Sequence, residues 1–105
     1  MMIPLLKEAV DALSALPSIG EKTALRLALF LLRRPEEEAV RLGNALIRLR
    51  TEVRYCSVCN MISEGDVCPI CADSHRDHSV ICVVESVRDV MSIEETGEYN
   101  GLYHV

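Results

Sequence analysis

Hydrophobic positions in the first half of the chain recur at the three- and four-residue intervals that are typical of α-helices. They form three runs, which begin at Pro4, at Glu21 and at Pro35. A proline fits the first turn of a helix, and the residue before a proline is poorly suited to continue one. The pattern therefore predicts helices from Pro4 to about Leu16, from Glu21 to just before Pro35, and from Pro35 through Leu49.

The second half changes character at Tyr55. Residues 55–78 are rich in Cys, Asp, Ser and Pro and have no periodicity, which predicts a loop-rich module. Residues 80–85 form a β-branched run that predicts a fully buried strand. A helical pattern from Ser86 to about Glu95 ends before Gly97, and residues 102–105 predict a second strand. The order strand, helix, strand is typical of the opening of a parallel α/β sheet.

These patterns predict an α+β fold with several modules: a helical region over residues 1–54, a cysteine-rich knuckle over 55–79 and the first part of an α/β domain over 80–105. Because two strands do not make a domain, we expect the front part of a longer protein. With one Phe and no Trp, the core must be mainly aliphatic. No segment has the roughly 18 apolar residues of a membrane span, and the start lacks signal-peptide features, so a soluble cytoplasmic protein is expected.

Four cysteines in the middle of the chain have the spacing C-x2-C-x8-C-x2-C: Cys56, Cys59, Cys68 and Cys71. Each C-x2-C pair can bring two sulfurs to one ion, and the intervening loop can bring both pairs into a tetrahedron. Four thiolates leave no open coordination position, so we predict one structural Zn²⁺. Binding such an ion is worth about 10–16 kcal/mol in apparent terms, so the metal is expected to fold this segment.

Other chemistry is possible for these residue types. A single C-x2-C pair also occurs as a redox pair of the thioredoxin type, but two pairs at this separation favour zinc. His75 and His78 could replace a cysteine ligand, although four thiolates already fill the site, and we expect both to face solvent. Cys82 has no partner at ligand spacing and is predicted to be a small buried hydrophobe.

The charge is unevenly distributed, because residues 1–54 carry +2 and residues 55–105 carry −7 of the net −5. Any polyanion should therefore meet the N-terminal half. There, a tight turn precedes the second helix, whose free N–H groups can bind an anion, and Gly20 allows unusual dihedral angles and close approach of a phosphate. Lys22 and Arg26 share one helix face beside it and can neutralise phosphates. The alternative is an ordinary helical hairpin with two solvated cations.

The segment from Leu16 to Ala28 is similar to the helix-hairpin-helix DNA-binding motif. Followed by the four-cysteine knuckle and by residues 81–86 and 99–105, it makes the whole chain resemble the first half of the bacterial RecR recombination mediators. The resemblance implies a Toprim-like third module and a non-catalytic DNA-repair protein that binds single- and double-stranded DNA without sequence specificity. It also implies an N-terminal dimer contact, ring-shaped tetrameric clamps, and action with RecO and RecF at the nucleoid to load recombinase on gapped DNA. We expect a dimer for this chain alone.

The resemblance also assigns residues. Lys22 and Arg26 match the basic hairpin positions that the family uses for DNA, whereas Ser18 stands where the family usually has glycine. If that position needs a positive φ, serine costs on the order of 1 kcal/mol there.

Glu85 matches the glutamate that follows the first strand of Toprim domains in topoisomerases and primases. Those enzymes add a later Asp-x-Asp pair to hold magnesium, and residues 86–105 lack one, so a two-metal site cannot be assembled from this sequence. We therefore predict no catalysis and a role for Glu85 at the strand end or against a protein partner. The alternatives are a Toprim nuclease or primase fragment and a zinc-stabilised adaptor that binds only protein. A solvated helix face is predicted for the remaining acidic residues of this region, Asp89, Glu94, Glu95 and Glu98.

Overall fold

The structure, a computed structural model, describes residues 2–105. It contains, in order, α1 (Pro4–Ser14), α2 (Glu21–Leu32), α3 (Glu36–Glu52), β1 (Arg54–Tyr55), β2 (Ile62–Ser63), α4 (Pro69–Ala72), β3 (Asp77–Val83), α5 (Val87–Glu95) and β4 (Gly101–His104). These elements form two compact units, of which the first ends at Ile47 and the second runs Arg48–Val105. None of the helices within residues 2–105 is both long enough and apolar enough to cross a bilayer.

The three helices predicted for the first half are confirmed, with α1 and α2 each ending slightly earlier than expected. Pro4 occupies the first turn of α1, where its missing N–H group is not needed. The core of this unit is the contact between α1 and α2, in which Val10, Ala24 and Ala28 are 4%, 0% and 6% exposed. Because the two alanines have small side chains and lie one turn apart, they let α1 approach α2 closely.

The helical unit leaves much apolar surface uncovered. No side chain of α3 is buried, and its start is stabilised by an acidic first turn and by the ion pair of Arg34 with Glu38 at 2.8 Å. Large apolar side chains on α2 and α3 are exposed, including Phe30 at 50%, Leu32 at 73%, Leu46 at 55% and Leu49 at 61%. The core described above therefore accounts for only part of the hydrophobic pattern in this half.

The region predicted to be loop-rich contains regular structure. Strands β1 and β2 pair antiparallel, with Arg54 opposite Ser63 and Tyr55 opposite Ile62, and α4 is a single turn that begins after Cys68. Most of the region is nevertheless irregular, as predicted. The sequence did not reveal these short elements because strands of two residues and a helix of four are too short to give a periodic hydrophobic pattern.

The predicted strand, helix, strand order is confirmed, since β3 and β4 are parallel and α5 lies between them in sequence. The prediction of a fully buried first strand is wrong for this chain. Val80, Ile81 and Val83 of β3 are 44%, 60% and 73% exposed, because within residues 2–105 the only hydrogen-bonded neighbour of β3 is β4.

The pairing of β3 with β4 is irregular at its start. Asp77 pairs with Gly101 and Ile81 with Leu102, so residues 78–80 form an insertion in β3. A side chain at Gly101 would overlap the Tyr99 hydroxyl and lie 2.9 Å from the Val80 carbonyl oxygen. Glycine is therefore required where β4 passes this irregular part of β3.

Helix α5 begins with a capping box. Ser86 Oγ accepts a hydrogen bond from the Asp89 N–H at 3.3 Å, and Asp89 accepts one from the Ser86 N–H at 3.1 Å. Asp89 is thus a structural residue rather than one of several solvated acids. The helix ends before Gly97, as predicted, and Gly97 has a φ of 67°, the left-handed conformation that is common just after a helix.

Glu94 is also not a solvated acid, which corrects the sequence-based prediction. Arg76 donates to both Glu94 carboxylate oxygens, and the Tyr103 hydroxyl donates to the same carboxylate at 2.7 Å. Arg76 also donates to the Gly101 carbonyl oxygen at 3.2 Å. The hydrogen bond and charge of Arg76 lower the pKa of Glu94, while burial raises the pKa of Tyr103. This network joins α5 and β4 to the segment between α4 and β3.

Candidate metal centre and nucleic-acid interface

The first cysteine pair lies in a tight turn between β1 and β2. The Cys56 N–H donates to the Met61 carbonyl at 2.6 Å, and the Asn60 N–H donates to the Cys56 carbonyl at 3.0 Å. Asn60 closes the turn with a φ of 67°, a left-handed conformation that asparagine adopts more readily than most residues. The turn therefore directs both cysteines of the pair toward one point.

The second pair lies at the start of α4. Cys68 is the N-cap residue, and its sulfur accepts the backbone N–H of Cys71 at 3.5 Å. Pro69 follows in the first turn, where proline is well suited to a helix start. A single helical turn with cysteines at its cap and at its third position thus places two sulfurs side by side.

The four sulfur atoms converge. The Sγ atoms of Cys56, Cys59, Cys68 and Cys71 all lie within 4.8 Å of one another. The Cys56–Cys71 sulfur distance is 3.9 Å and the Cys59–Cys68 distance is 3.6 Å. Four sulfurs at the usual Zn–S length of about 2.3 Å lie about 3.8 Å apart in a regular tetrahedron. The separations in this chain therefore fit a tetrahedral zinc site.

Burial and backbone N–H donors act in opposite directions on the pKa values of these thiols. Cys56, Cys59 and Cys68 are only 1–2% exposed, and the Cys68 N–H donates to the Cys56 sulfur at 3.2 Å. Burial acts to raise the pKa of the Cys56 thiol, but backbone N–H donors outweigh it and lower that pKa to about 6. Burial raises the pKa of Cys59 and of Cys71. A bound divalent cation favours the thiolate form of coordinating thiols and so acts against that effect of burial.

The other candidate ligands lie outside this cluster. His75 has a side chain that is 94% exposed and lies 3.4 Å from Asp73, and the His78 ring is 2.9 Å from the Asp73 carbonyl oxygen. Cys82 lies on β3 and is partly exposed, rather than buried as predicted. Within residues 2–105, the four cysteines form the one group of three or more potential metal ligands.

The knuckle is also joined to the end of β4. The Val105 N–H donates to the Cys59 carbonyl oxygen at 2.9 Å, and the Asn60 side-chain amide donates to the Val105 carbonyl at 3.4 Å. The sequence gives no sign of this contact, because it joins residues 45 positions apart, Asn60 and Val105, and uses the backbone of Val105. The geometry of the cysteine turn therefore affects the position of β4.

The helical hairpin has its positive φ at Ser18 rather than at the glycine. Ser18 has a φ of 66°, whereas Gly20 is the extended N-cap residue of α2 with a φ of −84°. Gly20 thus does not use the conformational freedom expected of it, but no atom lies within 4 Å of the position where its Cβ would be. The surface beside the first turn of α2 is therefore open to an approaching phosphate.

The start of α2 has features that suit an anion. No side chain caps the helix at Gly20, so the first N–H groups have no side-chain acceptor there. Lys22 and Arg26 are both exposed and, within the described residues, form no ion pair. By contrast, Lys7 on α1 is paired with Asp11 at 2.7 Å.

Sequence reasoning overlooked Arg33 on the same face. Arg33 follows Arg26 by seven residues and Lys22 by eleven, and the three side chains line one groove. That spacing is visible in the sequence, since positions i, i+4 and i+11 lie on the same side of a helix.

Glu85 is exposed and lies between β3 and α5, directly before the N-cap residue Ser86. This is the strand-end position predicted for it. No other carboxylate of the described chain joins it in a potential metal-binding group.

Comparison with known proteins identifies the three segments. A family described as "RecR, helix-hairpin-helix" matches residues 6–49, a RecR family of zinc finger domains with four cysteine ligands matches 53–73, and "Toprim domain" matches 79–105. The zinc-finger match together with the four converging sulfurs confirms one structural Zn²⁺.

Similar whole proteins carry the name "Recombination protein RecR". The one from Porphyromonas gingivalis (strain ATCC BAA-308 / W83) is 55% identical over 101 residues, which is 96% of this chain and 49% of that protein. Those from Amoebophilus asiaticus and Bifidobacterium adolescentis are 52% and 50% identical, over 96% and 95% of this chain and 50% of each relative. The chain spans about half the length of the curated relatives it matches. With a helix-hairpin-helix, a four-cysteine zinc finger and the start of a Toprim domain in that order, this chain belongs to the RecR family of recombination proteins.

Proposed function

We propose that this chain is the DNA-binding part of a recombination mediator, and that it binds the phosphate backbone of single- and double-stranded DNA without reading bases. The observation that carries the proposal is the pair of exposed cations Lys22 and Arg26 beside the uncapped start of α2, neither of which forms an ion pair within residues 2–105. Gly20 leaves room for a phosphate at the same place. Few cations and no stacking aromatic residue line this surface, which favours contacts to phosphates over contacts to bases.

In this proposal the zinc site is structural. Cys56, Cys59, Cys68 and Cys71 are the four ligands, and a complete set of four thiolates leaves no coordination position for a substrate or a reactive water. The functional segments are the helical region 1–54, the knuckle 55–79 and the Toprim portion 80–105. The protein acts without catalysis, and the Toprim portion serves for partner contact, with Glu85 at the surface that RecO or RecF meets.

Assembly follows from the uncovered apolar surface of the helices. Phe30 and Leu32 of α2 and Leu46 of α3 are large apolar side chains that are at least half exposed, and large exposed apolar patches commonly mark interaction sites. We propose that two copies pair through this surface and that the longer family members form ring-shaped tetramers. Such a ring acts with RecO and RecF on gapped DNA in the cytoplasm. One subunit makes few phosphate contacts and should bind DNA with a Kd of only about 10⁻⁴–10⁻⁶ M at physiological salt. The ring therefore holds DNA by avidity.

The test is fluorescence anisotropy with labelled single-stranded, double-stranded and gapped DNA over a series of salt concentrations. The double variant Lys22→Ala/Arg26→Ala should bind more weakly to all three, and the slope of log K against log salt should become less steep by about 1.4 on single strands. Lys7→Ala is the matched control, since Lys7 is paired with Asp11 and its loss should leave the slope unchanged.

Unchanged slopes in the double variant would remove the hairpin from the mechanism. Failure of the native chain to bind DNA at low salt, with partner binding retained, would favour the zinc-stabilised protein adaptor. Magnesium-dependent cleavage or synthesis of DNA would favour the Toprim nuclease or primase.

A further inference from the structure

A shallow groove runs along α2 beyond the proposed phosphate site. It has a volume of about 300 Å³ and is lined by Lys22, Leu25, Arg26, Leu29 and Arg33. The two leucines are the apolar part of the lining, called its floor below, and the other three residues are cations. No acidic residue lines this groove, although the chain has a net charge of −5. Its lining therefore combines an apolar floor with positive charge only.

A second groove of the same unit provides a contrast. It lies beside α1 and α2, has a volume of about 360 Å³, and includes Lys7 and Lys22 but also Asp11 and Glu21. Lys7 is already paired with Asp11 there. A polyanion that reaches Lys22 is thus repelled on the α1 side and attracted along α2 toward Arg26 and Arg33.

Arg33 differs from its neighbour in sequence. Arg34 is engaged in two hydrogen bonds to Glu38, at 2.9 and 2.8 Å, whereas Arg33 forms no ion pair among residues 2–105. Both arginines follow the end of α2, where positive charge also stabilises the helix dipole. Of these two neighbours, Arg33 lines the groove and Arg34 does not.

We propose that Arg33 is a third phosphate-binding residue, and that one nucleic-acid strand lies along α2 with its phosphates on Lys22, Arg26 and Arg33 and its sugars against Leu25 and Leu29. This inference rests on the proposed DNA-binding function. It adds the direction in which the strand lies on α2 and the length of helix that the strand contacts. At a helical rise of about 1.5 Å per residue, the three cations span about 16 Å along the helix axis. The strand therefore runs from the uncapped start of α2 toward its end rather than across the hairpin.

The experiment measures the salt dependence of binding to a fluorescein-labelled oligothymidine for the zinc-loaded chain. Arg33→Ala should weaken binding several-fold and make the slope of log K against log salt less steep by about 0.7, the value for one phosphate contact on a single strand. Arg34→Ala removes the same charge one residue away and should leave the slope unchanged. Arg33→Lys should retain the slope of the native chain, because the point charge of lysine still neutralises a phosphate.

A second pair of variants tests the floor of the groove. Leu29→Glu places a carboxylate among the three cations and should weaken binding far more than Leu27→Glu, at a site that is similarly exposed but outside the groove (42% against 37%). Circular dichroism and sedimentation equilibrium should give the same helicity and mass for both. If Leu29→Glu changes the mass and leaves DNA binding intact, a second copy occupies the groove and the proposal is wrong.

The outcomes also distinguish failure of this proposal from failure of the proposed DNA-binding function. A reduced slope for Lys22→Ala with an unchanged slope for Arg33→Ala would overturn only the third contact. An equal loss for Arg33→Ala and Arg34→Ala would indicate general electrostatic attraction and would overturn it as well. An unchanged slope for all of them would remove DNA binding by the hairpin altogether.

Discussion

The two compact units of this chain are stabilised by different kinds of interaction. In the unit that ends at Ile47, Val10 of α1 packs against Ala24 and Ala28 of α2, and the remaining apolar surface is left exposed. In the unit Arg48–Val105, the buried cluster of the knuckle consists of cysteines with apolar side chains packed against it, and a partly buried ion pair joins Arg76 to Glu94. The first unit therefore depends on hydrophobic packing, whereas the second depends also on a metal ion and on partly buried polar contacts.

This difference predicts which treatments affect each unit. Hydrophobic packing is non-directional and is not removed by a chelator, whereas a tetrathiolate site loses its whole free energy of binding when the metal leaves. A chain that divides its stability in this way does not unfold in one step. Unfolding of each unit therefore needs its own probe.

Removal of zinc should produce the largest effect. The ion contributes about 10–16 kcal/mol of apparent binding free energy, so chelation under reducing conditions should unfold the knuckle. In hydrogen exchange, the Cys56 and Val105 amides should lose protection, because they donate to Met61 and to Cys59. Amides within α1 and α2 should keep theirs.

The control for this prediction is Cys82→Ser, which should retain one zinc per chain because Cys82 lies outside the sulfur cluster. Cys59→Ser should lose the metal and behave as the chelated protein does. If elemental analysis of reduced protein returned no stoichiometric zinc, the second unit could not depend on a metal ion, and the contrast between the two units would be wrong.

Loss of the Arg76 side chain should have the next largest effect. Arg76→Met leaves the carboxylate of Glu94 without its cation in a partly buried site, which should lower the free energy of unfolding of the second unit by about 1–3 kcal/mol. Urea denaturation followed by tyrosine fluorescence measures it, since Tyr99 and Tyr103 both lie in this unit. Arg88→Met, on the exposed face of α5, should change the midpoint little.

The ion pair of Arg76 with Glu94 also predicts how the stability of the second unit depends on pH. Arg76 lowers the pKa of Glu94 below its usual value of 4.5, so the stabilisation is fully present above that value and is lost as the pH falls through the lowered pKa. Native protein should therefore lose more stability than Arg76→Met on acidification through this range. Acid also releases zinc from both proteins, so the quantity to compare is the difference between them. Parallel pH profiles would contradict the role given to Arg76.

The sequence predicted much of the fold but little of the second unit's internal contacts. Helices α1 to α3 were predictable because Val10, Ala24 and their neighbours recur at helical intervals, and the zinc site because four cysteines have a distinctive spacing. The network of Arg76, Glu94 and Tyr103 was not predictable. Its residues are far apart in sequence, and an acid on a helix face gives the same local pattern whether or not a partner lies above it.

The sequence predicted the burial of β3 wrongly for a different reason. The β-branched pattern of residues 80–85 is typical of a strand covered on both faces, and in this chain Ile81 and Val83 are 60% and 73% exposed. The pattern predicts the strand correctly but cannot predict how many elements cover it, because that depends on residues outside the pattern.

The smallest effect compares two residues with positive φ, Ser18 in the first unit and Asn60 in the second, with φ of 66° and 67°. Ser18→Gly should raise the free energy of unfolding of the helical unit by about 0.5–1 kcal/mol, because relief of a left-handed serine exceeds the added freedom of glycine in the unfolded chain. Asn60→Gly should give no such gain, because asparagine tolerates this conformation and its side chain donates to Val105 at 3.4 Å. Denaturation followed by helical circular dichroism measures the first change and tyrosine fluorescence the second. Equal gains at both positions would mean that the backbone conformation alone sets the stability at these turns, and that the contact of Asn60 with Val105 adds nothing to the second unit.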